Sequence, residues 1–302
     1  MTRLRSPLPR LGFPYRAAVT PQGVDPAPSR GRLGADYDTD WARRPSARLV
    51  RSAMIDGMFR PAVAVMATPR RRGIDRLDCV EGPLLFAANH HSHLDTPVLL
   101  TSIPHRFRRN LVVGAAADYF FSNHVTGAVS ALTIGAIPIE RTKVGRRSAD
   151  LAAELIGEGH SMLLYPEGGR SPDGWGRPFR GGAAYLASRC SVPVVPIHIE
   201  GTGRILPKGR GRPRPASTTV TFGHPLRATE GERSTSFAAR LERAVAELAD
   251  EVSSDWYSAR RRALAGTTPS LHGPEAGAWR RVWALGDRDV RRRRTRRRWP
   301  EL

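Results

Sequence analysis

The chain has 302 residues, of which 40% are apolar, with two cysteines and a formal net charge of +20. That length holds one large domain with extensions or two small ones, and the apolar share supports a packed core, which excludes a wholly disordered chain. Cys79 and Cys190 stand too far apart for a disulfide framework or a zinc-ligand spacing, so a reducing compartment is expected, and the charge favours anionic partners.

Residues 1–45 hold seven prolines and eight arginines with little apolar periodicity, and read as a disordered basic arm. The arm lacks the apolar run and small-residue cleavage site of a secretory signal. From Ser46 a helical pattern begins, with Val50, Met54 and Met58 spaced by four and Ile55 and Phe59 beside them. Pro61 bends or ends that helix, PAVAVMA extends it to Ala67, and Arg70-Arg71-Arg72 closes the apolar stretch. An apolar helix followed by a basic cluster over 46–72 suits either a membrane surface or the protein's own core.

Pro83 to Ala88 then reads as a buried strand, and TPVLLTSI after it as a helix. Val125 to Ile139 is apolar but too short and too interrupted by Thr, Gly and Pro to span a bilayer. Leu151, Leu155 and Ile156 mark one helix face that stops near Gly157 or Gly159. Strands follow at Met162 to Tyr165, Val192 to Ile199 and Thr218 to Gly223, with Pro193 and Pro196 shaping a strand edge. Phe237, Leu241, Val245, Leu248 and Val252 mark a last helix. Strands alternating with helices predict an α/β fold, a mixed sheet flanked by helices, over residues 46–265. The tail, 266–302, carries Trp279, Trp283 and the arginine run from Arg291 to Arg298.

The chemistry concentrates in Asn89-His90-His91-Ser92-His93-Leu94-Asp95-Thr96-Pro97. His91, His93 and Asp95 match the opening of a metallo-hydrolase ligand pattern, but Thr96 stands where that pattern continues with histidine. A second reading pairs His90 with Asp95, so that the carboxylate fixes one ring nitrogen and the other accepts a proton. In a third, Asp95 merely caps the following helix. These nine residues leave all three open.

Further along the chain the motifs of a family accumulate. Asn89, His90, Ser92 and Asp95 meet NHxSxxD; Gly135 to Arg141 read GAIPIER; Tyr165 to Ser171 read YPEGGRS, followed by Phe179-Arg180-Gly181-Gly182; and Val192 to Ile197 read VPVVPI. In this order the chain resembles the phospholipid/glycerol acyltransferases, which include the lysophosphatidic acid acyltransferases. The resemblance covers about residues 75–226 and leaves the two arms outside.

It implies transfer of a fatty acyl group from a thioester, acyl-CoA or acyl carrier protein, to a hydroxyl of a lysophospholipid or glycerol phosphate, with 1-acylglycerol-3-phosphate first among acceptors. His90 would be the base and Asp95 its orienter. Arg141, Glu167, Gly168, Gly169, Arg170 and Ser171 would hold the acceptor, the arginines by paired bonds to its phosphate. The family's usual Thr is Gly169 here, which bears on acceptor identity. No metal and no cofactor is implied. An anionic membrane surface is the expected partner, at the cytoplasmic face of the cell membrane. The competing class is a nucleic-acid-binding protein, because Arg runs with interleaved Trp suit phosphodiester backbones, although no recognised binding-fold signature accompanies them.

Overall fold

The computed structural model describes residues 33–140, 146–171, 173–206 and 212–273. Most of the expected basic arm, Arg141, and the Trp/Arg tail from residue 274 lie outside the described residues.

Residues 33–44 depart from the expected disorder. The Gly34 N–H donates to the Phe121 carbonyl at 2.8 Å, Tyr37 packs on the Phe121 ring at 5.2 Å, and Ala42 is buried. Their partners lie some 80 residues away, beyond the reach of any local pattern. Helix α1 (Pro45–Met54) follows, with proline in its first turn, where a missing N–H breaks no bond. One π turn (Ile55–Phe59) joins it to α2 (Arg60–Ala67). The Arg60 N–H bonds the Ile55 carbonyl five residues back, and this widening accommodates Pro61, so the helix continues.

Arg70–Arg72 do not simply close the apolar stretch. With Pro69 they form β1 (Pro69–Arg72), an edge strand parallel to β7 (Thr218–Phe222). Exposed charges on such an edge discourage further strand addition. Between them run β2 (Leu85–Ala88), α3 (Asp95–Ser102), α4 (His105–Arg108), β3 (Leu111–Ala116), α5 (Ala117–Phe120), α6 (His124–Ile134), β4 (Ala136–Ile139), α7 (Arg146–Gly157), β5 (Ser161–Leu164), α8 (Gly182–Cys190), β6 (Val194–Glu200) and α9 (Thr202–Ile205). After β7 come α10 (Ser234–Ser253) and α11 (Trp256–Leu264).

The seven strands form one sheet in the order β1-β7-β6-β2-β5-β3-β4, parallel except for β6 against β7. The mixed sheet expected from sequence is therefore present. Pro196, however, lies on an interior strand and not at an edge. Its carbonyl accepts from the Gly223 N–H, so its nitrogen faces β7 too, where regular pairing has stopped at Ile197 opposite Phe222. The absent N–H therefore falls at a break in the ladder.

Strand alternation divides the core between two helical layers. Phe86, Val113, Leu163, Val195 and Ile197 pack with Val63, Val98 and Leu99 of α2 and α3. Leu85, Val112, Met162 and Val194 pack with Ala152 and Leu155 of α7, Ala184 of α8, and Phe237 and Leu241 of α10. Central strands buried on both faces read as continuous apolar runs, which is why β2, β5 and β6 are visible in the sequence. The parallel register of Phe86 with Leu163 and Ala87 with Leu164 brings the loops after β2 and β5 side by side. Loops at carboxyl ends of strands in open α/β sheets are the usual place for ligands.

Candidate active site

The loop after β2 is held from three directions. Asn89 clasps β6: its side-chain amide donates to the Ile199 carbonyl at 2.8 Å, and the Ile199 N–H donates to its oxygen at 2.7 Å. The His90 N–H donates to Glu167 Oε1 at 3.0 Å, and the His90 carbonyl accepts from the Ser171 N–H at 2.8 Å. Asp95 then gathers the loop around one oxygen. Its Oδ2 accepts from the His91 N–H at 2.7 Å and the Ser92 N–H at 2.9 Å, and lies 2.8 Å from His90 Nδ1. Asp95 opens α3, but the amides it binds precede it in the chain, so it organises the histidine loop and does not cap the helix.

Asp95 is fully buried. Burial pushes its carboxyl pKa up, but the His90 hydrogen bond and charge, the Ser92 amide and the Thr202 hydroxyl outweigh that and hold it below the usual carboxylate value. An ionised Asp95 accepts the Nδ1 proton of His90, which leaves Nε2 as the nitrogen able to accept another. The His90 ring stacks on Tyr165, centroids 4.1 Å apart and planes 20° apart. The Tyr165 hydroxyl lies 2.9 Å from Thr96 Oγ1. Burial, then the charge of Asp95, push that phenol well above 10, so it stays neutral.

The loop after β5 divides its residues between two tasks. Gly168, Gly169 and Arg170 line a cavity of about 420 Å³ that His90 also lines. Gly168 has φ +69°, and a Cβ there would lie 2.9 Å from Arg180 Nε, so the glycine gives that guanidinium its place on the same wall. Glu167 and Ser171, expected to hold acceptor, face the interior, 2% and 3% exposed. Glu167 takes the His90 N–H on one oxygen and the Arg177 N–H, at 3.1 Å, on the other. Ser171 Oγ lies 3.2 Å from Asp173 Oδ1 and accepts from the Gly174 N–H at 2.9 Å. A carboxylate with both oxygens committed to loop amides braces the loop and presents nothing to a ligand. Burial raises the Glu167 carboxyl to about 7 against the pull of those amides. Arg141 lies outside the described residues; its neighbour Glu140 lines the cavity.

Away from His90 and the arginines the cavity turns apolar, walled by Val113, Ile134, Leu164, Ala183 and Leu186. Gly114 keeps its floor open, since a Cβ there would lie 2.5 Å from Leu164 Cδ2. The three histidines of the loop have different surroundings. The His93 ring stacks on Tyr119 at 5.9 Å; burial, then the charge of Arg170, lower its pKa. His91 Cβ lies 3.6 Å from where a Gly203 Cβ would be, and its pKa too is lowered, by burial first. Among the described residues no three His, Cys, Asp or Glu side chains are placed to hold a metal ion.

A histidine–aspartate pair beside an arginine-rimmed cavity with an apolar interior fits the motifs that carry it. Residues 68–200 match the Acyltransferase family model. By that match this stretch is similar to the acyltransferase family.

The chain is 34% identical over 141 residues to the "1-acyl-sn-glycerol-3-phosphate acyltransferase BAT2, chloroplastic" of Brassica napus, covering 46% of this chain and 39% of that protein. Against the human "1-acyl-sn-glycerol-3-phosphate acyltransferase beta" it is 33% identical over 118 residues, 38% of this chain and 40% of the other. The match thus spans about two fifths of these curated relatives. In fold, the chain is similar to the crystal structure of the "1-acyl-sn-glycerophosphate (LPA) acyltransferase, PlsC, from Thermotoga maritima", with a TM-score of 0.55 and 21% identity over 72% of this chain and 84% of that one.

Sequence reasoning placed His90, Asp95, Gly168, Gly169 and Arg170 in the site, and the structure sets His90, Gly168, Gly169 and Arg170 on one cavity with Asp95 buried behind His90. It missed three others. Arg180 stands in a quoted motif without an assigned role. Tyr165 carries a hydroxyl toward Thr96, but nothing local shows the stacking partner. Thr202 is a lone threonine after a strand, with no signal in sequence at all.

Proposed function

We propose that the chain transfers a fatty acyl group from a thioester to the hydroxyl of a glycerol-phosphate lipid, with 1-acylglycerol-3-phosphate as acceptor, in phospholipid synthesis. One observation carries the reading: the His90–Asp95 pair stands where a rim bearing Arg170 and Arg180 meets an apolar cavity. His90 Nε2 removes the acceptor's hydroxyl proton as its oxygen attacks the thioester carbonyl. The carbon–sulfur bond then breaks, and the departing sulfur takes the proton from the imidazolium. Asp95 stabilises that imidazolium; no acyl-enzyme is required, because the acceptor is itself the nucleophile. Such a base contributes about 10²–10⁴ in rate. The arginines suit the acceptor's phosphate and the apolar walls suit an acyl chain.

The donor is acyl-CoA or acyl carrier protein, and the working place is the cytoplasmic face of an anionic membrane. The net charge of +20 supports this, as do the apolar side chains left exposed on α1, α2 and α6: Leu49, Val65, Val125 and Val129. Among the described residues no helix is long and apolar enough to cross a bilayer.

The test is thiol release from acyl-CoA, and separately from acyl carrier protein, with a panel of lysophospholipids. Lysophosphatidic acid should be acylated and His90→Ala should lose at least a hundredfold in rate. Equal turnover by the variant would remove His90 from the reaction.

A further inference from the structure

The loop that carries His90 rests on the turn after β6. That strand ends at Glu200, and Gly201 turns the chain with φ +94°; a Cβ there would lie 2.4 Å from the Ser217 carbonyl oxygen. Only glycine fits this approach, and it delivers α9 against the histidine loop. Ser92 Oγ donates to the Leu206 carbonyl at 2.8 Å, and Gly203 faces His91. Thr202, the first residue of α9, is fully buried.

Asp95 Oδ2 has three partners. Among the described residues, Asp95 Oδ1 and Thr202 Oγ1 are both buried and neither has a hydrogen-bond partner. An ionised carboxylate with one bare oxygen in the interior is strongly disfavoured. Yet the Thr202 hydroxyl adjoins this carboxylate closely enough to help hold it ionised, the service the orphaned oxygen lacks elsewhere.

We infer that Thr202 is a positioning residue: its hydroxyl donates to Asp95 Oδ1 and keeps the carboxylate ionised and aimed at His90. The inference rests on the acyl-transfer reading for its kinetic consequences, but its geometry stands apart from it. The titratable groups that sense Asp95 are His90, His91, His93, Tyr165 and Glu167, and a substitution at Thr202 removes none of them.

Thr202→Val keeps the shape and removes the hydroxyl; Thr202→Ser keeps the hydroxyl. Both are made in the full chain and followed by kinetics with lysophosphatidic acid, by thermal melting, and by NMR of the His90 Nδ1–H proton, assigned through its loss in His90→Ala. Removing one donor from a charged acceptor predicts a fall in kcat of about tenfold or more in the Val variant, with acceptor KM within about twofold. The acid limb of its pH profile should move to higher pH and the Nδ1–H resonance should shift, while the Ser variant stays near wild type in all three. If the Val variant melts too low to assay, Thr202→Ala replaces it in the same comparison. Wild-type kcat and an unmoved resonance in the Val or Ala variant would overturn the inference, as would an equal loss in the Ser variant. A wild type with no transfer whose resonance still shifts on Thr202→Val would refute the proposed function and leave the role of Thr202 intact.

Discussion

Asp95→Asn is the substitution that most directly questions the site, because it changes charge with almost no change in shape. An asparagine carbonyl oxygen in the Oδ2 position can still accept from the His91 and Ser92 amides, so the loop should keep its course. What is lost is the negative charge 2.8 Å from His90 Nδ1. Charge centres about 4 Å apart at an effective dielectric of about 20 interact by about 4 kcal/mol. If that stabilisation is felt when the imidazolium forms, the rate falls by about a thousandfold, about a tenth of the ~10⁴-fold loss seen when a comparable orienting aspartate is neutralised in a serine protease. The assay is single-turnover thioester cleavage with saturating lysophosphatidic acid, beside a thermal melt showing that the variant is folded. A folded Asp95→Asn retaining more than a tenth of wild-type rate would mean that His90 does not rely on this carboxylate, and the base assignment would fall with it.

Three further outcomes are expected. Arg170→Ala should raise the acceptor KM by about ten- to a hundredfold with a smaller effect on kcat, and Arg170→Lys should recover it only in part, since an ammonium lacks the planar fork; an unchanged KM in steady-state kinetics would take the phosphate away from Arg170. Glu167, raised to about 7 from 4.5, is easier to fold protonated than ionised, so its contribution to stability is highest below about 4.5 and declines as pH rises to about 7, by about 3 kcal/mol in all. Melts from pH 4.5 to 8 should show Glu167→Gln without that component, its deficit against wild type narrowing as pH rises; parallel curves would contradict the buried carboxyl. Replacing Leu49 and Val65 together by serine should weaken flotation with anionic vesicles while leaving turnover of a detergent-dispersed acceptor unchanged, and undiminished flotation would remove α1 and α2 from the membrane contact.

The central strands, the helices with a single apolar stripe and the His90–Asp95 pair are written in local pattern. A strand buried on both faces must be apolar at every position, as at Leu85 to Ala88, and a five-residue spacing across a strand-to-helix turn lets the carboxylate return to the imidazole. Strand β3 escaped because Gly114 and its alanines dilute the β-branched signal, and that dilution exists to leave room for the cavity. Residues 33–44 escaped because Gly34 and Tyr37 find their partner, Phe121, across the chain.

Which way a side chain faces was decided in space alone. Glu167 and Arg170 sit three residues apart in one motif, yet one braces the loop from within and the other reaches the cavity. Thr202 stands 107 positions after Asp95. Sequence carries composition and periodicity, which dictate burial along an element; it carries no record of which two loops the sheet order lays side by side, and short-range hydrogen bonds depend on that adjacency.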